Sequence, residues 1–396
     1  TETAFTAPHE EALETILESL FGQIVRGVAD GRDHEPDAVR AAIDRAPLIG
    51  DEAVEAGLVD GLMYRDEALD ALRERAGDGE LLYADKYLER AGRPDGTGRD
   101  TIALVYGVGV VMRGPSSYAP LTGITTMGSE DVARALRSAT DDPRVVAIVF
   151  RVDSPGGSYV ASDTIWREVT RARALGKPVV VSMGDLAASG GYFVSMNADR
   201  IVAQPGTITA SIGVLGGKLV TRDLWGKLGV TFDETHVGDN ALMWSAQNRY
   251  TESGLERRDA FLDAVYEDFT TRVAEGRSLD VERVREIARG RIWSGEDALE
   301  LGLVDELGGL DVAIGAAREA VGIEPGKDAR VSVFPKPKSP IEALLDPGPS
   351  SSEERVGASV ARVLERIRPM VLALDAAGLW SPRAGVLTTP EPRPRP

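Results

Sequence analysis

Apolar positions recur with two different periods along this chain. From Glu11 to Val28 they fall at helical spacing, and Pro36 stands where a proline opens a further helix, so residues 10–90 read as helical. A Gly/Pro-rich stretch follows at residues 92–98, and beyond it the pattern changes. Short runs rich in Val and Ile at residues 101–106, 145–152 and 178–183 alternate with helical patterns at 129–138, 161–175 and 188–197. Apolar strands alternating with helices predict an α/β fold, a parallel sheet with helical crossovers over residues 100–325. The stretch 107–127, rich in glycine and small residues, reads either as a substrate-binding strand or as a plain connector.

Residues 340–354 form a Pro/Ser-rich linker, and residues 390–396 a disordered end. Between them Val356, Val360, Val363, Leu364, Ile367, Val371 and Leu372 recur at helical spacing. That amphipathic helix packs on its own domain or a neighbouring subunit. Arg355, Arg362, Arg366 and Arg368 also allow it to lie on a membrane surface. The chain thus divides into a helical segment at 1–91, a linker at 92–99, an α/β domain at 100–325 and an extension at 326–396.

A repeat cuts across this division. Val28-Ala29-Asp30-Gly31-Arg32 returns as Val273-Ala274-Glu275-Gly276-Arg277, and Gly57-Leu58-Val59-Asp60 as Gly302-Leu303-Val304-Asp305, both 245 positions on. Val39-Arg40 matches Val284-Arg285 at the same spacing, and Ala53 and Glu55 match Ala298 and Glu300. A constant offset over some thirty residues indicates a duplicated domain, against the plainer alternative of one helical hairpin used twice. The second copy follows about 150 residues of α/β sequence and the first follows almost none. The expectation is that the α/β part of copy one lies upstream of Thr1.

The net charge of −18 argues against nucleic acid as a partner, and against an anionic lipid surface as the main attraction. The absence of cysteine excludes disulfides, thiolate nucleophiles and cysteine-ligated metals. No apolar run reaches the roughly 20 residues needed to span a bilayer. No signal peptide opens the chain.

Two motifs carry candidate chemistry. Asp153-Ser154-Pro155-Gly156-Gly157-Ser158 follows one predicted strand, and Ala187-Ala188-Ser189-Gly190-Gly191 follows the next. Read singly, the first is a strand-to-helix turn and the second a helix cap. Both, however, lie at the carboxyl ends of parallel strands, where open α/β sheets bind ligands. The N–H groups of Gly157 and Gly190 could then face each other across Ser189. A hydroxyl nucleophile with two oxyanion donors meets the needs of acyl transfer.

Four segments together resemble the signal peptide peptidase A (protease IV) family. They are Ser154-Pro155-Gly156-Gly157-Ser158, Gly176-Lys177-Pro178-Val179-Val180-Val181-Ser182-Met183-Gly184, Ala187-Ala188-Ser189-Gly190-Gly191-Tyr192 and Thr209-Ala210-Ser211-Ile212-Gly213-Val214. The resemblance covers roughly residues 10–325. It implies a ClpP/crotonase-like fold and cleavage of remnant signal peptides by a Ser–Lys dyad, with no cofactor and no metal. It further implies a ring-like or bowl-shaped homo-oligomer at the bacterial cell membrane, with its catalytic part on the extracytoplasmic side and its anchor in a segment outside this chain. By this match Ser189 is the nucleophile, Gly157 and Gly190 supply the oxyanion hole, and Ser211 orients the dyad lysine.

The base is harder to find. Of His9, His34 and His236 only the last lies in the α/β domain, flanked by Asp233 and Asp239. A Ser–His–Asp triad is conceivable, though nothing in the sequence places His236 beside Ser189. A dyad lysine must be neutral, hence buried among apolar groups. Lys177 belongs to a turn and Lys227 reads as a helix-end lysine, which leaves Lys218 as the best internal candidate. Short members of the family carry the lysine in a stretch resembling residues 229–245, where its place falls on or near Ala241. Long members take it from the first copy. The expectation is a carboxyl-terminal portion of a long-form enzyme whose lysine lies upstream. An acyl-CoA hydratase or isomerase of the crotonase type, and a non-catalytic scaffold, are the competing readings.

Overall fold

Val145–Ser154 (β5) is buried over nearly its whole length, and its side chains alternate between two cores. Ile148, Phe150 and Val152 point into one, Ala147 and Val149 into the other. A strand covered on both faces reads in sequence as an unbroken apolar run, because neither face needs polar residues. The computed structural model describes residues 4–77, 81–91, 100–119, 123–324 and 329–335.

The strands in chain order are β1 (Thr101–Val108), β2 (Val110–Met112), β3 (Ser117–Ala119), β4 (Ile124–Gly128), β5, β6 (Val179–Ala188), β7 (Arg200–Ala203), β8 (Ile208–Ala210), β9 (Ile292–Ser294), β10 (Glu306–Leu307) and β11 (Arg330–Phe334). The main sheet runs β10-β7-β6-β5-β1-β11, with β8 paired to β6 and β9 to β8. Its pairs are parallel except the antiparallel β8–β9. One face is covered by the helices Ser129–Asp141 and Tyr159–Ala174, through Val132, Leu136, Ile165 and Val169. The other is covered by the helix Leu310–Ala320 through Ala313, Ala316 and Ala317. The fold is α/β. One unit holds residues 1–117 and 125–336; a second holds 118–124 and 337–396, of which only 118, 119, 123 and 124 are described.

Three differences from the sequence reading matter. First, β6 does not stop at Met183 but continues to Ala188, and the helix after it is only Gly190–Phe193. Beyond Met183 the strand changes partner: Leu186, Ala187 and Ala188 pair with Ile208, Thr209 and Ala210. Tertiary pairing here overrides the weak strand preference of Gly184, Asp185 and the alanines. Second, Arg330–Phe334 lies past the expected domain end at 325, yet pairs in parallel with Thr101–Val105. Third, the segment after β1 adds a short parallel pair, Val110↔Thr126 to Met112↔Gly128. The expected linkers at 92–99 and 340–354, the helix at 356–376 and the end at 390–396 lie outside the described residues.

The repeat is visible as structure. Ala7–Arg32 and Glu252–Arg277 are both helices of 26 residues, closed by left-handed residues, Asp33 and Ser278. Arg32 Nε donates to Gly57 O at 2.8 Å, and Arg277 Nε to Gly302 O at 3.2 Å. The same two arginines pair with Asp60 and Asp305. The first helix docks beside β9, where Ser19 Oγ meets Ser294 Oγ at 2.8 Å, Gln23 Nε2 donates to Pro205 O, and Arg26 pairs with Glu296.

Candidate active site

The end of β5 runs into Ser154-Pro155-Gly156-Gly157, and hydrogen bonds hold this loop in place. Ser154 Oγ donates to Gly109 O at 2.7 Å and accepts from Gly156 N. Val111 N–H donates to Gly156 O, and Ser158 N–H donates to Val111 O, both at 2.8 Å. These two bonds use the groups on either side of Gly157. Among the described residues the Gly157 N–H has no partner, and neither has the Gly190 N–H. Ser158 then caps the helix Tyr159–Ala174.

Ser189 stands at the end of β6 with φ 52° and ψ −117°. Its N–H donates to Ala210 O and its carbonyl accepts from Phe193 N–H, each at 2.8 Å. A non-glycine residue held there costs of order 1–3 kcal/mol and persists only where the surroundings impose it. Its neighbours across β8 share the trait, Ala210 at φ 62° and Ser211 at φ 50°. Close approach leaves no room for a side chain at Gly190. A Cβ there would lie 2.6 Å from Ser162 Oγ and 3.1 Å from Gly157 N, so the two free amides are near neighbours.

Ser189, Gly157, Gly190 and Ser211 line one cavity of about 610 Å³. Its remaining wall is mostly apolar, with Phe193, Val214, Leu215, Val265 and Phe269. The structure therefore brings together the four site residues expected from the sequence. It brings none of the candidate bases to them. Lys177 donates to Ala139 O and Asp142 O, and burial lowers its pKa. The Lys218 ammonium lies 4.3 Å from the centre of the Tyr250 ring. Lys227 ends the helix Arg222–Lys227, His236 is exposed, and Ala241 sits in a turn closed by its N–H to Gly238 O. Among the described residues no Lys, His, Asp or Glu lines the cavity.

Sequence reasoning missed two titratable residues that line it. Tyr159 donates to Asp268 at 2.7 Å, and burial together with that bond pushes its pKa up to about 12. Asp268 in turn is held by Arg272, which also pairs with Asp163 and lies 4.0 Å over Trp166. Arg289 is the second, at φ 59°. Neither residue stands in a motif. Asp268 is 109 positions from Tyr159, and no local signal joins them.

The family profile of Peptidase family S49 matches residues 1–78 and 171–324, more than half of the chain. The chain belongs to peptidase family S49. The two matched segments end nearly the repeat spacing apart, at residues 78 and 324. Among curated relatives, the chain is 32% identical over 348 residues to "Serine protease SPPA, chloroplastic" of Arabidopsis thaliana, covering 85% of this chain and 50% of that protein. It is 35% identical over 324 residues to "Protease 4" of Salmonella typhi, covering 78% and 51%, and 35% identical over 322 residues to "Protease 4" of Haemophilus influenzae, covering 77% and 51%. The chain thus spans about half the length of these relatives. A solved ClpP1 mutant from Listeria monocytogenes is similar with a TM-score of 0.35 and 15% identity, over 55% of this chain and 95% of that one. Among the described residues no helix is long and apolar enough to cross a membrane.

Proposed function

We propose that this chain carries the nucleophile and the oxyanion hole of a serine endopeptidase that cleaves remnant signal peptides or other membrane-associated peptides. The observation that carries this reading is the placement of Ser189 between strained backbone and the two unpartnered amides of Gly157 and Gly190. Ser189 Oγ attacks the scissile carbonyl, and its proton passes to a neutral amine. The carbonyl oxygen becomes an oxyanion held by the Gly157 and Gly190 N–H groups. The amine returns the proton to the leaving nitrogen, and water then hydrolyses the acyl-enzyme.

The amine is that of a lysine outside the 396 residues of this chain, oriented by the Ser211 hydroxyl. The lack of any base among the described cavity residues supports this, as do the repeat and the half-length match to the relatives. The lack of a carboxylate there disfavours acyl-CoA hydratase or isomerase chemistry. Family resemblance favours a homo-oligomer at the bacterial cell membrane, working on the extracytoplasmic side and anchored by a segment outside this chain.

The test is to treat the full-length protein with a fluorophosphonate and to map the adduct by mass spectrometry. The adduct is expected on Ser189 and lost in Ser189→Ala. An adduct elsewhere, or one unaffected by Ser189→Ala, overturns the assignment. The chain alone is expected to turn over a peptide ester hardly at all. Robust turnover that disappears in Lys218→Ala or His236→Ala would place the base within it instead.

A further inference from the structure

Among the described residues Arg289 is the one charged side chain on the cavity that holds Ser189, in a protein whose net charge is −18. It also lines a second cavity, next to the first, walled by the start of the first helix and by residues 286–291. The two carboxylates of that second cavity are already engaged, Glu11 with Arg291 and Glu286 with Arg283. Among the described residues the exposed Arg289 guanidinium has no hydrogen-bond or ion-pair partner.

Its backbone is unusual as well. Arg289 is held at φ 59° between two fixed points, Gly290 N–H donating to Ile212 O and Ser211 N–H donating to Arg291 O. Glycine would relax that position. The repeat does not demand an arginine either, since Asp44 occupies the matching place in the first copy. A cation with no internal partner among the described residues thus sits, at some cost in backbone strain, on the wall of a mostly apolar and otherwise uncharged cavity.

We propose that Arg289 is a specificity-determining residue that binds a carboxylate of the peptide lying in the Ser189 cavity. This rests on reading that cavity as the peptide site. The planar guanidinium offers a fork of donors that matches a carboxylate in two-point fashion. The carboxylate can be a Glu or Asp side chain or the free carboxyl terminus of the substrate.

The experiment reads binding, not turnover, and uses the chain with Ser189→Ala. Fluorescence anisotropy follows labelled apolar octapeptides in three forms: one ending in a free carboxylate, one amidated, and an amidated set with Glu scanned against Gln. A carboxylate-bearing peptide is expected to bind about tenfold tighter than its neutral counterpart at low salt, less at high salt. The difference should vanish in Arg289→Gln and be reduced but still present in Arg289→Lys, which keeps the charge and loses the fork, with unchanged thermal melts for both. A gain with the free terminus identifies carboxyl-terminal recognition; a gain with one scanned Glu identifies an acidic side chain. Equal affinities throughout, no binding of any peptide, or a preference that survives Arg289→Gln overturns the proposal. Because the readout omits the nucleophile, an intact preference alongside failed fluorophosphonate labelling would sink the peptidase reading and leave Arg289 as a carboxylate site.

Discussion

Gly156 is packed against Ser189 so tightly that a Cβ on the glycine would stand 2.7 Å from Ser189 Cβ and 2.5 Å from Gly190 N. The loop after β5 therefore forms a template on which Ser189 and the Gly190 amide are positioned. Gly156 also has φ 97°, a region L-residues rarely adopt. Gly156→Ala is expected to destabilise by about 2–4 kcal/mol and to abolish labelling of Ser189. Denaturant melts and fluorophosphonate mass spectrometry on one preparation check both halves.

The strain at Ser189 itself should be measurable as stability. Ser189→Gly relieves a backbone cost of about 1 kcal/mol or more, so calorimetry should show a melting temperature raised by about 2 °C. Labelling should be lost. Ser189→Ala keeps the same backbone and should gain much less, which separates relief of strain from loss of the hydroxyl.

Tyr159 gives a prediction in pH. Burial, and then its bond to Asp268, raise its pKa from 10.0 to about 12, so the folded state holds the proton more tightly than the unfolded state does. Its contribution to stability is therefore complete below pH 10 and is lost as pH rises through about 12. Ultraviolet titration of the native protein should show a late-ionising tyrosine at about pH 12 that is absent in Tyr159→Phe. A titration unchanged by the substitution would contradict this assignment.

The repeated arginines allow an internal comparison. Arg277 has only 6% of its side chain exposed and Arg32 has 29%, though both bond the equivalent aspartate and carbonyl. Arg277→Ala removes an almost fully buried side chain and leaves Asp305 without its cation and Gly302 O without that donor. It is expected to cost about 2 kcal/mol. Arg32→Ala should cost clearly less, because water can replace the lost partner. Parallel urea titrations of the two variants test the ranking.

The sequence made the central sheet legible because β1, β5 and β6 are covered on both faces and read as continuous Val and Ile runs. It also showed the Gly156-Gly157 and Ser189-Gly190 pair, since each closes one of those strands. It did not show that β6 reaches Ala188, because that extension depends on β8, whose three residues carry no period of their own. Nor did it show β11, five residues placed beyond the expected end of the domain. Tyr159 and Arg289 were hidden for a related reason: each lies outside the motifs, and what brings it to the cavity is the packing of distant segments.

The site is held by bonds that join Gly109 to Ser154, Val111 to Gly156, Ser189 to Ala210 and Ser211 to Arg291. No single hairpin or helix contains these pairs, and the last of them waits for residue 291 to be synthesised and docked. Such non-local closures form late, after the entropy of long loops has been overcome. A chain still emerging or only partly folded thus has Ser189 in its sequence without the amides of Gly157 and Gly190 in place beside it.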